Sequence, residues 1–191
     1  MMIFITNNMK LLNVISEIAT DLSNVYSFSK LERSNDPSER DKTIYNFDTE
    51  SGKTYKVSFF PSSGRYIPDG TYIREYAPYD MLGWQGTGIN NKSMTGENKA
   101  LKVNATVMAI TIDWLNNNKD KDSFFQLLIK PVDKRRYRLV KMFIKNHIGS
   151  QYDIKYNLSS AVGDDTIIIR NIGDKERYYN TDTQMWEKNK Q

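Results

Sequence analysis

Cysteine is absent from this 191-residue chain, and histidine occurs once, as His147. The first absence excludes disulfides and thiolate metal sites, and the second excludes any centre that needs two imidazoles. With five prolines and ten glycines the chain carries no low-complexity tract, and no internal repeat is visible. No run approaches the roughly 18–20 apolar residues of a membrane span. The opening "MMIFITNN" has neither the basic flank nor the apolar length of a secretory signal. Charge is close to balanced, at net +4, which permits an acidic partner without demanding one. The expectation is a soluble cytoplasmic protein with no membrane association and no metal.

What is present is helical and strand periodicity. Leu11, Leu12, Ile15, Ile18, Ala19, Leu22 and Val25 recur at helical spacing, which predicts an amphipathic helix from about Asn8 to Val25. The polar "SNDPSERDK", Ser34 to Lys42, reads as a linker. The chain therefore divides into a helical segment (1–33), a linker (34–42) and an α/β domain (43–191). The helix face of Leu11, Leu12, Ile15, Ile18 and Leu22 either packs on that domain or meets a partner.

In the domain, "TIYNF" (Thr43 to Phe47) and "TYKVSFF" (Thr54 to Phe60) flank a turn-rich "DTESGK" and predict a hairpin. "TYIREY" (Thr71 to Tyr76) predicts a third strand. The stretch from Ala77 to Asn98 is rich in glycine, asparagine and aromatics, and reads as a long loop. A helix from about Lys99 to Asn117 is apolar around much of its circumference, as suits burial against a sheet. "FFQLLI" (Phe124 to Ile129) reads as a buried strand ended by Pro131. Asp133 is placed to cap a helix over Lys134 to Ile148, and Gly149 to close it. "QYDIKYN" and "DTIIIR" predict two closing strands, with a short edge strand through Tyr178 and Tyr179. The expected fold is an α/β (α+β) sandwich: a mixed, largely antiparallel sheet flanked by helices.

A strand meander, core helix, buried strand, second helix and closing hairpin is similar in order to the GNAT acyltransferase superfamily, over roughly Thr43 to Arg170. That resemblance implies acetyl-CoA as cofactor, its pyrophosphate held by the loop before the core helix and by the helix N-terminus. The corresponding loop here is "TGENKALKV", with Thr95, Gly96, Asn98 and Lys99 as the implied contacts. The family's second glycine and leading glutamine or arginine are missing from it, and Glu97 adds negative charge. The same stretch also resembles a group of small phage and bacterial proteins through Thr95, Gly96, Ala100, Val103, Thr106 and Val107, then Arg136, Arg138 and Leu139. This second resemblance implies a phage origin, hence a host-cell cytoplasm or a virion, and no activity.

The strongest electrostatic feature is "DKRRYRLVKMFIKNHI". On a helical wheel Tyr137, Val140, Ile144 and Ile148 share one face, and Lys134, Arg138, Lys141 and Lys145 share another, extended by Arg135 and Arg136. Such a stripe suits an acidic protein surface or a phosphate backbone, and equally a solvated face. No RNP consensus, GXXG clamp or zinc knuckle accompanies it. Gly83, Gly86 and Gly88 around Trp84 depart from the nucleotide-binding glycine spacing. His147 reads as structural, and Asp164 and Asp165 as a tight turn. The remaining carboxylates are scattered, so no acid–base pair is nominated. The chain therefore reads as a non-catalytic binding or assembly protein, phage-encoded and a virion component in its concrete form, acting through other proteins without a cofactor. An acetyl-CoA-dependent acyltransferase and a nucleic-acid-binding module are the alternatives.

Overall fold

The computed structural model describes residues 21–31, 41–62, 67, 70–78, 100–121, 124–131, 134–157, 166–171, 177–180 and 185–188. The described elements are β1 (Phe28–Lys30), β2 (Thr43–Asp48), β3 (Thr54–Pro61), β4 (Thr71–Pro78), α1 (Ala100–Asn118), β5 (Gln126–Ile129), α2 (Lys134–His147), β6 (Tyr152–Asn157), β7 (Thr166–Asn171), β8 (Arg177–Asn180) and β9 (Met185–Lys188). Seven strands form one sheet in the order β1-β2-β3-β4-β5-β7-β6, and β8-β9 make a separate two-stranded ladder. Every neighbouring pair in the large sheet is antiparallel except β4 and β5. The protein is thus a mixed α+β fold with a mostly antiparallel sheet and two described helices.

The β2–β3 hairpin follows from its turn. Gly52 takes φ 79°, a left-handed conformation that costs a residue with a Cβ about 1–2 kcal/mol. Its N–H donates to Thr49 O at 3.0 Å, while Thr49 N–H donates to Lys53 O at 2.9 Å. With that turn set, Tyr45 opposes Val57 and Phe47 opposes Tyr55. Strand alternation then sends Tyr45, Phe47, Tyr55, Val57 and Phe59 to one face, where all are buried.

That face is the core. One register row runs Phe59–Arg74–Ile129–Ile167–Tyr156 across five strands. Phe59 stacks on Trp114 of α1, and Lys141 of α2 sits over the ring of Tyr156. Both helices therefore lie over the same side of the sheet. α1 buries Val103, Val107, Met108, Ile110, Trp114 and Leu115, and α2 buries Tyr137, Val140, Phe143 and Ile144. Phe143, fully buried, belongs to the α2 face along with the residues expected there; Ile148 is half-buried against the core.

Three expectations change. The apolar run at Phe124 overshoots the strand: Phe124 N–H donates to Lys121 O in a turn, and ladder pairing starts at Gln126. The tail strand that carries Tyr178 and Tyr179 is not an edge of the main sheet but pairs with β9. Residues 22–24, assigned to the end of the first helix, are bends, because the Asp21 carboxylate accepts from Ser23 N–H at 2.8 Å and diverts the backbone. Beyond the bend, Tyr26 N–H donates to Thr106 Oγ1 of α1 at 2.9 Å, and β1 pairs with β2. Tyr26 is thus tied to α1, and β1 forms the edge of the large sheet. Residues 8–20 of that segment, most of the linker, the 79–99 loop and Asp133 lie outside the described residues.

Candidate functional site

Among the described residues two features carry unbalanced charge, one on the surface and one in the core. The surface feature is α2. Because its apolar residues turn toward the sheet, Lys134, Arg138, Lys141 and Lys145 emerge on the outside, all exposed. Eleven residue steps along the helix lead from the first to the last, so the stripe runs about 16 Å. Lys141 Nζ lies 4.5 Å from the centroid of the Tyr156 ring, a partial anchor for that ammonium. Among the described residues none of the four forms an ion pair. The first turn of α2 holds no acidic residue, while Lys145 and His147 lie in its last turn, where the helix dipole favours cations. Of Arg135 only the backbone is described. Asp21 approaches the far end of the helix: the Ser23 hydroxyl and backbone N–H hold its carboxyl below the usual range, with a smaller contribution from His147.

The core feature is Arg74 on β4. Strands β4 and β5 run parallel and pair over Thr71–Arg74 and Gln126–Ile129. Beyond Arg74, β4 continues to Pro78, while β5 has ended and Pro131 has no N–H to extend the ladder. The two strands thus form a fork with Arg74 at its apex. Alternation turns the Arg74 side chain toward α1, where it is 7 % exposed. Nη1 donates to Thr111 Oγ1 at 3.0 Å and lies 3.3 Å from Met108 Sδ. Thr111 in turn donates to Val107 O at 2.7 Å, so its one hydroxyl proton is committed. Nε is buried with no acceptor, and no described carboxylate pairs with the guanidinium. Burial pushes its pKa down to about 10, leaving it charged at neutral pH. Trp114 Nε1, three residues beyond Thr111, is a second buried donor with no acceptor. At the fork, the Tyr76 hydroxyl donates to Asn104 Oδ1 at 3.3 Å, and the Arg74 guanidinium carbon is 5.9 Å from the Tyr76 ring centroid.

The contrast with Arg170 is instructive. Its Nε donates to Gln126 Oε1 at 3.0 Å, and Gln126 Nε2 donates to Thr71 Oγ1 at 3.0 Å, which ties β4, β5 and β7 together in a satisfied chain. Glu75, next to Arg74 but on the opposite face, has its carboxyl pushed up by burial, against the pull of Lys42 and Lys130.

Neither Arg74 nor Thr111 was nominated from sequence. The signal was available in "TYIREY", where Arg74 shares its strand face with Tyr72 and Tyr76, an alternation that implies an inward arginine. Thr95, Gly96, Asn98 and Lys99 lie outside the described residues, immediately before α1, as do Gly83, Trp84, Gly86, Gly88, Asp164 and Asp165. Lys102, the next cation along α1, is committed elsewhere: its Nζ is 3.1 Å from Glu50 Oε1 and 4.3 Å from the Tyr26 ring. Leu11, Leu12, Ile15 and Ile18 are likewise outside the described residues, whereas Leu22 is half-buried against the core. Among the described residues no group of three His, Cys, Asp or Glu side chains is placed to hold a metal, and no helix is long and apolar enough to cross a membrane.

Searches against known proteins add no relative: no protein-family model, no curated protein and no solved structure matches the chain.

Proposed function

We propose that this is a non-catalytic binding protein whose exposed α2 face docks an acidic protein surface within a larger assembly. The observation that carries the reading is the four-cation stripe Lys134, Arg138, Lys141 and Lys145, held on a rigid helix with no ion pair among the described residues. Fixed cations at regular spacing raise the local concentration of an acidic partner and orient it on arrival. The resemblance to small phage proteins makes a virion component the concrete form of this reading, with host cytoplasm as the place of synthesis. The test is fluorescence anisotropy of a labelled polyglutamate peptide and of a labelled mixed-sequence DNA strand, against the wild-type chain and the double variant Arg138→Glu/Lys145→Glu. The expected result is peptide binding in preference to DNA, weakened at least about tenfold in the variant and reduced by salt. Preferential DNA binding would select the nucleic-acid alternative, and binding indifferent to the substitutions would remove α2 from the account.

A second reading, an acyltransferase-like use of acetyl-CoA, has its own support. What supports it is the order of elements along the sequence, similar to that of the GNAT superfamily; in the sheet β4 and β5 are the one parallel pair. In that reading Thr95, Gly96, Asn98 and Lys99 hold the pyrophosphate ahead of α1, whose first turn contains no acidic residue. The fit is partial, because Lys102 is engaged by Glu50 and Tyr26 and is not available to a phosphate. Calorimetric titration with acetyl-CoA, with Gly96→Glu as control, separates the two readings. Binding abolished by the substitution would make the enzyme reading the leading one, and absence of heat would remove it.

A further inference from the structure

We propose that Arg74 is the anchor of a buried ligand site between β4 and α1 that takes the carboxylate of a small monocarboxylic acid. A guanidinium removed from water without a counter-charge costs several kcal/mol, and buried charges in proteins are ordinarily paired. Here the partners that Arg74 does have, Thr111 Oγ1 and Met108 Sδ, are neutral and both meet Nη1. On the opposite edge Nε is buried with no acceptor, and no hydrogen bond joins Nη2, which is not itself among the buried unpartnered atoms, to a described residue. That Nε–Nη2 edge is the one on which a planar carboxylate binds with two parallel N–H···O bonds.

A second orphan donor lies in the same layer. Trp114 stacks on Phe59 with ring centroids 4.6 Å apart, and Phe59 is the direct register partner of Arg74. Trp114 Nε1 is buried with no acceptor. The sole buried side-chain acceptor without a partner among the described residues, Asn46 Oδ1, is on β2 next to Tyr45 in sequence and so on the face away from the helices. Among the described residues the layer between β4 and α1 therefore has surplus donors and surplus positive charge and no anionic acceptor. A water molecule would accept these bonds but leave the charge unbalanced.

The fork supplies access. Past Arg74 the β5-facing edge of β4 carries no ladder bonds to β5, and this is the side from which the proposed ligand would enter. The Tyr76 ring and the Met108 thioether flank the guanidinium with apolar surface, which suits an acid with a short apolar body more than a dicarboxylate or a phosphate. The inference is independent of the α2 reading, since the two features share no residue.

The test uses benzoate and butyrate as probes, with inorganic phosphate beside them, on the full-length wild-type chain and on Arg74→Met. Two readouts apply: the thermal midpoint as a function of probe concentration, and the arginine Nε–H resonances in a nitrogen-edited NMR spectrum. The expected result is a midpoint that climbs with the logarithm of carboxylate concentration in the wild type, together with a downfield shift of a single Nε–H signal. Arg74→Met is expected to match or exceed the wild type in stability without probe, since a hydrophobic replacement relieves the unpaired charge, and to lose the response to probe. If Arg74→Met does not fold, the wild-type Nε–H titration decides alone. A wild type that no carboxylate stabilises and whose Nε–H signals stay fixed would overturn the proposal. So would an equal response in Arg74→Met, or a response to phosphate only.

Discussion

Tyr45 of β2 donates its phenolic proton to Asp113 of α1 at 2.8 Å, a polar bolt between the sheet and the helix that covers it. Burial, then the bond to the carboxylate, push the Tyr45 pKa above the ordinary tyrosine value. Tyr152 and Tyr156 are shifted the same way, with burial as the largest cause. A raised folded-state pKa means that the native state holds the proton more tightly than the unfolded chain. The associated stability is fully present below the unfolded value, about pH 10, and is lost as pH rises through the folded values. Thermal midpoints are therefore expected to fall steeply above about pH 10, and less steeply in Tyr45→Phe. An identical alkaline limb in the variant would exclude Tyr45 as a contributor. At neutral pH the same substitution is expected to cost about 1–2 kcal/mol, by urea denaturation, because Asp113 loses a charge-assisted bond.

Thr106→Val tests how the segment before β1 is held. Thr106 is fully buried, and its hydroxyl accepts from Tyr26 N–H while donating to Lys102 O. Valine keeps the shape and strands the amide, at an expected cost of about 1–3 kcal/mol. Hydrogen exchange should quicken at Tyr26 in particular. A variant with wild-type protection at that amide would show that the Tyr26–Phe47 ring stack, not the hydroxyl, holds the segment.

Phe59→Ala removes a fully buried ring stacked on Trp114 at an interplanar angle of 6°. The expected loss is about 3–5 kcal/mol in equilibrium unfolding. A loss below about 1 kcal/mol would mean that the aromatic cluster of Phe59, Trp114, Tyr72 and Phe124 repacks around the vacancy.

The exposed cations of α2 should behave in the opposite way. Arg138→Ala and Lys145→Ala are expected to change stability by no more than about 0.5 kcal/mol, since neither side chain pairs with a described residue. Lys141→Ala should cost somewhat more, through its contact with Tyr156, though still within about 1 kcal/mol. Thermal denaturation of the three single variants checks the ranking; a larger loss at Arg138 or Lys145 would make that residue part of the fold.

The pattern of what the sequence made legible has physical causes. Period-two alternation in "TYKVSFF" and the heptad-like spacing of Tyr137, Val140 and Ile144 are direct projections of burial, so β3 and the inner face of α2 were readable. Burial misled at Phe124, which is buried but bonds back to Lys121 O in a turn before the strand, because hydrophobicity reports enclosure and not hydrogen-bond register. A local side-chain bond decided the bend at Asp21, where the apolar spacing of Leu22 and Val25 continues the helical pattern although the backbone does not. The cations of α2 could be placed from a wheel. For Arg74, alternation with Tyr72 and Tyr76 gives the inward direction, but its lack of a described carboxylate partner depends on tertiary neighbours.

The measurement closest to the central claim is NMR chemical-shift mapping of the isotopically labelled chain titrated with a polyglutamate peptide. The account predicts perturbations concentrated on Lys134, Arg138, Lys141 and Lys145 and on their immediate neighbours in α2, vanishing at high salt. Perturbations centred on another surface, or none at all at low salt, would contradict it.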